Sequence, residues 1–75
     1  MPGREVLAQL LRAIKQGRKL QVSYHSLSDR EGTQERILEP HALVNTGLRW
    51  HLRAYNEETY DFRDFVLSRF TAAQI

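Results

Sequence analysis

Nine arginines stand against two lysines in this chain of 75 residues. Arginine presents a planar fork that grips phosphate or carboxylate through parallel hydrogen bonds, whereas lysine is a flexible point charge. A GC-rich genome also raises arginine content, so the positions of the arginines carry the reading. In Leu48–Tyr55 (LRWHLRAY), Leu48, Trp50, Leu52 and Ala54 alternate with Arg49, His51, Arg53 and Tyr55. A period of two predicts a strand with one apolar and one cationic face. Phe62–Phe70 (FRDFVLSRF) adds Arg63 and Arg69 among apolar side chains. Two such neighbouring strands would make a platform for phosphate or another anion.

Arg53, Arg63 and Arg69 are therefore expected to converge on one concave face and grip consecutive phosphates, with aromatic rings beside them to stack bases. Such contacts weaken steeply with salt. The competing reading pairs these arginines with Glu58, Asp61 or Asp64 in solvated bridges of little worth. Tyr24 and Ser26 lie two apart and share a face, so a phenol and a hydroxyl can reach a phosphate or a base edge. Tyr24 can equally cap the core face of Leu20 and Val22. His51, between two arginines, is a candidate donor or acceptor, against an exposed histidine of no consequence. Arg36 is as readily structural as a ligand contact, and Trp50 is expected in the core beside Leu52 and Ala54.

No catalytic set stands out. His25 and Ser26 are adjacent in a strand and point to opposite faces, which defeats a nucleophile–base hydrogen bond. No glycine-rich phosphate cradle is present, and neither His25 nor His41 has metal-ligand spacing around it. An enzyme, a metal and a cofactor are all unexpected.

The positioning elements follow from pattern. Val6, Leu7, Leu10, Leu11 and Ile14 form a stripe at three-and-four spacing, predicting a helix over Arg4–Gln16. Glu5 in the first turn and Lys15 in the last suit the helix dipole, and Gly17 suits the left-handed cap. Lys19–Ser26 reads as the first strand, Ser28–Thr33 as a hairpin loop and Gln34–Glu39 as the second strand. Pro40 ends that strand or places it at an edge, since proline cannot donate to a ladder. Asn45-Thr46-Gly47 is a turn before the third strand, Leu48–Tyr55. Phe62–Phe70 is the fourth, with mixed faces that call for a bulge or cover on both sides, and a break near Ser68. One helix and four or five short antiparallel strands suit a curled sheet or small barrel with the helix across it.

Seventy-five residues make one small domain, residues 1–75, of marginal stability. A net charge of +2 with nine acidic residues is no blanket polycation. Without cysteine there is no disulfide framework, which fits a reducing cytoplasm; no apolar run approaches a membrane span. The helical pattern starts directly after Met1-Pro2-Gly3 and the last strand ends just before Thr71–Ile75, as expected of a domain excised from a longer protein or of a very short relative of one.

In order along the chain, the helix ending in Ala13-Ile14, LQVSYHS (Leu20–Ser26), RILEP (with Arg36 and Pro40), WHLRAY (Trp50–Tyr55) and RDFVLSRF (Arg63–Phe70) resemble the WYL domain of bacterial transcription regulators. The resemblance spans nearly the whole chain and rests on the five pieces together. It departs at Trp50-His51-Leu52, where the family's name asks for tyrosine, and at Ser68, where aspartate is common. Arg49–Tyr55 looks more like the subgroup in defence-associated (phage defence) repressors.

The resemblance implies a small Sm-like, SH3-like antiparallel barrel. It also implies a longer homodimeric regulator with a winged helix-turn-helix before this domain and another domain after it. The implied role is non-catalytic sensing of an anionic ligand, most of all single-stranded DNA or RNA fragments, by Tyr24, Ser26, His51, Arg53, Arg63 and Arg69. A nucleotide-type effector and a purely structural or dimerisation role are the alternatives, and no membrane is involved.

Overall fold

The computed structural model describes residues 2–25 and 32–75. Helix α1 runs over Arg4–Gln16, as the apolar spacing predicts. It buries Leu10 and Ala13 and half-buries Val6, Leu7 and Ile14, while Leu11, at the margin of the stripe, stays largely exposed. The helix ends in a Schellman motif. Gly17 takes φ +64°, its N–H donates to the Ile14 carbonyl at 3.3 Å, and the Arg18 N–H donates to Ala13 at 3.0 Å. Only glycine takes this left-handed conformation without a steric penalty.

Five strands follow: β1 (Leu20–His25), β2 (Thr33–Asn45), β3 (Trp50–Asn56), β4 (Asp61–Val66) and β5 (Phe70–Gln74). They form one antiparallel sheet in the order β4-β3-β2-β1-β5, and α1 packs across β5, β2 and β1. The expected mostly-β fold with one helix is present. The expected closed barrel is not: edge strands β4 and β5 do not pair, so the sheet is open. The sheet nevertheless curls enough for side chains to link its edges. Tyr24 of β1 receives the Val66 N–H of β4 at 3.1 Å, and Phe65 of β4 lies 6.2 Å from Phe70 of β5, centroid to centroid.

The break expected near Ser68 is present, as a 3-10 turn over Leu67–Arg69 that carries the chain from the β4 edge to the β5 edge. Three boundaries depart from the sequence pattern. Strand β5 runs over Phe70–Gln74, past the expected end of the last strand at Phe70. Strand β2 continues through Pro40 to Asn45. Its pairing with β1 stops at Leu38, so no strand needs an N–H from Pro40 on that side, and the pairing with β3 shifts register between Pro40 and Ala42. Strand β3 starts at Trp50, not Leu48. Its preceding turn is fixed by the Asn45 Oδ1, which accepts the Gly47 N–H at 2.7 Å, and by the Thr46 N–H, which donates to the Arg49 carbonyl at 3.1 Å. Arg49 thus sits in the turn, not on the cationic face. Trp50 is not core: it pairs with Asn45 at the end of the sheet and is 43% exposed. The loop expected at Ser28–Thr33 lies mostly outside the described residues.

The core gathers Leu10, Ala13, Leu20, Val22, Leu38, Leu52, Ala54, Phe65, Leu67 and Phe70 from every element. Leu38 is fully buried on the central strand. Truncating such a leucine costs about 2–5 kcal/mol, against a total of roughly 4–11 kcal/mol for a domain of this length. Leu38→Ala should therefore leave a domain that unfolds in low urea, read by circular dichroism; a midpoint close to wild type would contradict this packing.

Candidate functional site

Strand register decides which arginines share a face. Directly opposed residues of β3 and β4 are His51↔Val66, Leu52↔Phe65, Arg53↔Asp64, Ala54↔Arg63, Tyr55↔Phe62 and Asn56↔Asp61. Opposed residues project to the same side and neighbours along a strand to opposite sides. Leu52, Ala54 and Phe65 are buried, so their side is the inner face and His51, Arg53 and Tyr55 point outward. The outward alternation read from the sequence holds for these three. Arg63 does not join them: it pairs with Ala54 and projects to the other side of the sheet. The expected convergence of Arg53 and Arg63 on one face is thereby corrected.

Each of these arginines is held by a carboxylate. Arg53 makes a two-point contact with Asp64, Nε to Oδ1 at 2.9 Å and Nη2 to Oδ2 at 3.2 Å. Arg63 donates from Nε to Asp61 Oδ2 at 3.2 Å, and the Thr59 hydroxyl also donates to Asp61. Both pairs are solvent-exposed, which limits their worth. Arg36 donates to the Glu35 carbonyl at 2.9 Å and lies 3.7 Å from Glu58, a structural position at the far end of β2.

Around the end of β4 the other expected residues gather. His51 sits on the outer face between Val44 of β2 and Val66 of β4, half-buried, and its Nδ1 is buried with no hydrogen-bond partner among the described residues. Tyr24 is half-buried, edge-on to Phe65 at 5.2 Å and Phe70 at 5.0 Å, with its oxygen accepting from Val66. Here the core-capping reading of Tyr24 is the one the contacts support, although its O–H is left as a donor. Arg69 lies on the 3-10 turn three residues beyond Val66, half-buried, and makes no ion pair among the described residues. Ser26 lies outside the described residues. His51 and Arg53 share the outer face, whereas Tyr24 packs with Phe65 and Phe70 on the inner side and meets β4 through the Val66 N–H.

An aromatic cluster escaped the sequence pattern. Phe62, 59% exposed on the outer face, meets Tyr55 edge-on at 5.3 Å and His41 at 4.9 Å, making an aromatic cluster beside Arg53. His41 reaches it at the β2 irregularity, which the sequence pattern gave no sign of. The pairing of Arg53 with Asp64 and of Arg63 with Asp61 is the competing reading drawn from the sequence, and the contacts bear it out. Among the described residues no group of side chains is disposed to hold a metal ion, and no helix is long and apolar enough to cross a membrane.

The Asp64 carboxyl is held below its ordinary range, first by the Arg53 hydrogen bonds and then by the charges of Arg53 and His51, with burial opposing. Asp61 is lowered first by the Thr59 hydroxyl and further by Arg63. A depressed carboxyl stabilises the fold above its unfolded value and loses that contribution as pH falls through the folded one. The difference in Tm between wild type and Asp64→Asn should be small near neutrality and vanish as pH falls below the ordinary aspartate value of 3.8. Thermal melts that show a pH-independent gap would contradict the pairing.

A family model described as WYL domain matches residues 5–75. The chain is 46% identical over 70 residues to the DNA-binding transcriptional repressor CapW of Escherichia coli (strain KTE188), a match covering 93% of this chain and 23% of that protein. The CapW repressor of Pseudomonas aeruginosa is 49% identical over 65 residues, 87% of this chain and 21% of that protein. Among solved structures, the proteasome accessory factor B/C (PafBC) of Arthrobacter aurescens superposes with a TM-score of 0.82 at 30% identity, covering 93% of this chain and 11% of that one. The chain spans less than a quarter of the length of these curated relatives. It belongs to the WYL domain family.

Proposed function

We propose that this domain is the non-catalytic, ligand-sensing module of a longer, cytoplasmic and homodimeric bacterial transcriptional repressor, and that its ligand is single-stranded nucleic acid. Identity of 46–49% with CapW repressors over most of the chain supports the regulatory setting. The curled five-stranded sheet, with a 3-10 turn before its last strand, suits an Sm-like scaffold. The observation that carries the ligand reading is the outward pair His51 and Arg53 beside exposed Phe62. Arginine supplies phosphate contact and the rings supply stacking surface. Arg69, on the turn that follows β4, extends this surface, and Tyr24 braces the end of β4 from the inner side. Arg63 lies outside it, on the opposite face.

The loss of Arg63 from the face shortens the run of phosphates it can hold, and this favours a nucleotide-type effector as the second reading. Competition separates the two: affinity grows with oligonucleotide length for the first and is already complete with a mononucleotide for the second. Fluorescence anisotropy with a labelled oligothymidylate should show wild-type binding that falls with salt. Arg53→Ala should weaken it by roughly tenfold or more, the loss of one charged hydrogen-bonding group. Equal, salt-insensitive binding by both proteins would overturn the ligand reading.

A further inference from the structure

We propose that Arg53 is a carboxylate-gated phosphate site, in which Asp64 occupies the guanidinium in the free domain and must be displaced by the ligand. This inference rests on the ligand reading above. Its basis is geometric. Arg53 and Asp64 are directly opposed on neighbouring strands, so the backbone register itself presents the carboxylate to the guanidinium. The contact is two-pointed, at 2.9 and 3.2 Å, and uses the same fork that would take two phosphate oxygens. The pair stands on the outer face with Arg53 about half exposed, so an incoming anion can reach it.

A carboxylate fixed on the adjacent strand competes at an effective concentration on the order of millimolar or above. A free anion that offers Arg53 a single contact gains little by exchanging one oxyanion for another. A ligand that also engages Arg69, His51 or the Phe62 ring brings additional binding energy and can displace Asp64. Asp64 thereby sets the threshold that a ligand must cross and discriminates against small, abundant anions. Exchange also leaves a signature in salt dependence. When phosphate replaces Asp64, the freed carboxylate stays beside the strand and restores the negative charge that Arg53 neutralises, so Arg53 adds almost nothing to the salt slope. With the carboxylate neutralised, the same contact contributes in full, about 0.7 on the logarithmic slope for a single strand.

The test is a salt series of oligothymidylate anisotropy titrations on wild type, Asp64→Asn, Asp61→Asn, Arg53→Ala and the Arg53→Ala/Asp64→Asn double variant. Asp61→Asn changes net charge equally but lies on the opposite face with Arg63, and so measures the general effect of one fewer negative charge. Asp64→Asn should bind roughly three- to tenfold tighter than Asp61→Asn at low salt, with a slope steeper by about 0.7. In the Arg53→Ala background, removing Asp64 should gain no more than Asp61→Asn gains in wild type. If Asp64→Asn behaves like Asp61→Asn while Arg53→Ala still loses affinity, the gate is overturned and the ligand reading stands. If no variant shows salt-dependent binding, both fall.

Discussion

The hydrogen-bonded register of β3 against β4 is the constraint on which the rest depends. It buries Leu52 against Phe65, sets Arg53 opposite Asp64 and sends Arg63 to the far side. Because side chains alternate along a strand, a slip of β4 by one residue would turn Phe65 outward and bring Arg63 to the side of Arg53. Burial of Leu52, Ala54 and Phe65 opposes that slip, so the same apolar contacts that hold the core also select which arginine meets solvent on the outer face. Core packing and surface chemistry are here consequences of one pairing.

The open sheet keeps its curl through a few side-chain links. Val66 has its N–H accepted by Tyr24, two aromatic rings flank the Tyr24 phenol, and Leu67 is buried as the chain turns toward the other edge. These contacts brace the end of β4 that His51 and Arg69 share. At the opposite end of β3, the Asn56 side chain accepts the Glu58 N–H at 2.9 Å and Lys19 lies 2.6 Å from Glu57, which ties the β3–β4 turn to the start of β1. The hairpin that presents Arg53 is thus fixed at both ends.

Much of this was legible in the sequence because it is locally determined. The α1 stripe, the Gly17 cap and the outward alternation of His51, Arg53 and Tyr55 depend on neighbours a few residues away. Other features depend on partners distant in the chain. Pro40 is accommodated because β1 stops short of it, and Trp50 is exposed because its strand position lies beyond the core. The mixed faces of Phe62–Phe70 resolve once a 3-10 turn separates two strands: Phe65 and Leu67 go inward, and Phe62 is the exposed exception. Arg63 and Arg53 look alike in sequence, since each is an arginine among apolar residues. Only the pairing between strands assigns them to different faces and sets Asp64 opposite Arg53, whereas Asp61 is a neighbour of Arg63 on the same strand.

The arginine side-chain Nε–H resonances of the domain, followed by NMR during titration with an oligothymidylate, would read this directly. The account predicts that the Arg53 signal moves with the Asp64 carboxyl carbon as the ion pair opens, while Arg63 and Asp61 stay in place. Movement of Arg63 with a motionless Arg53 would contradict the assignment of the outer face as the ligand surface.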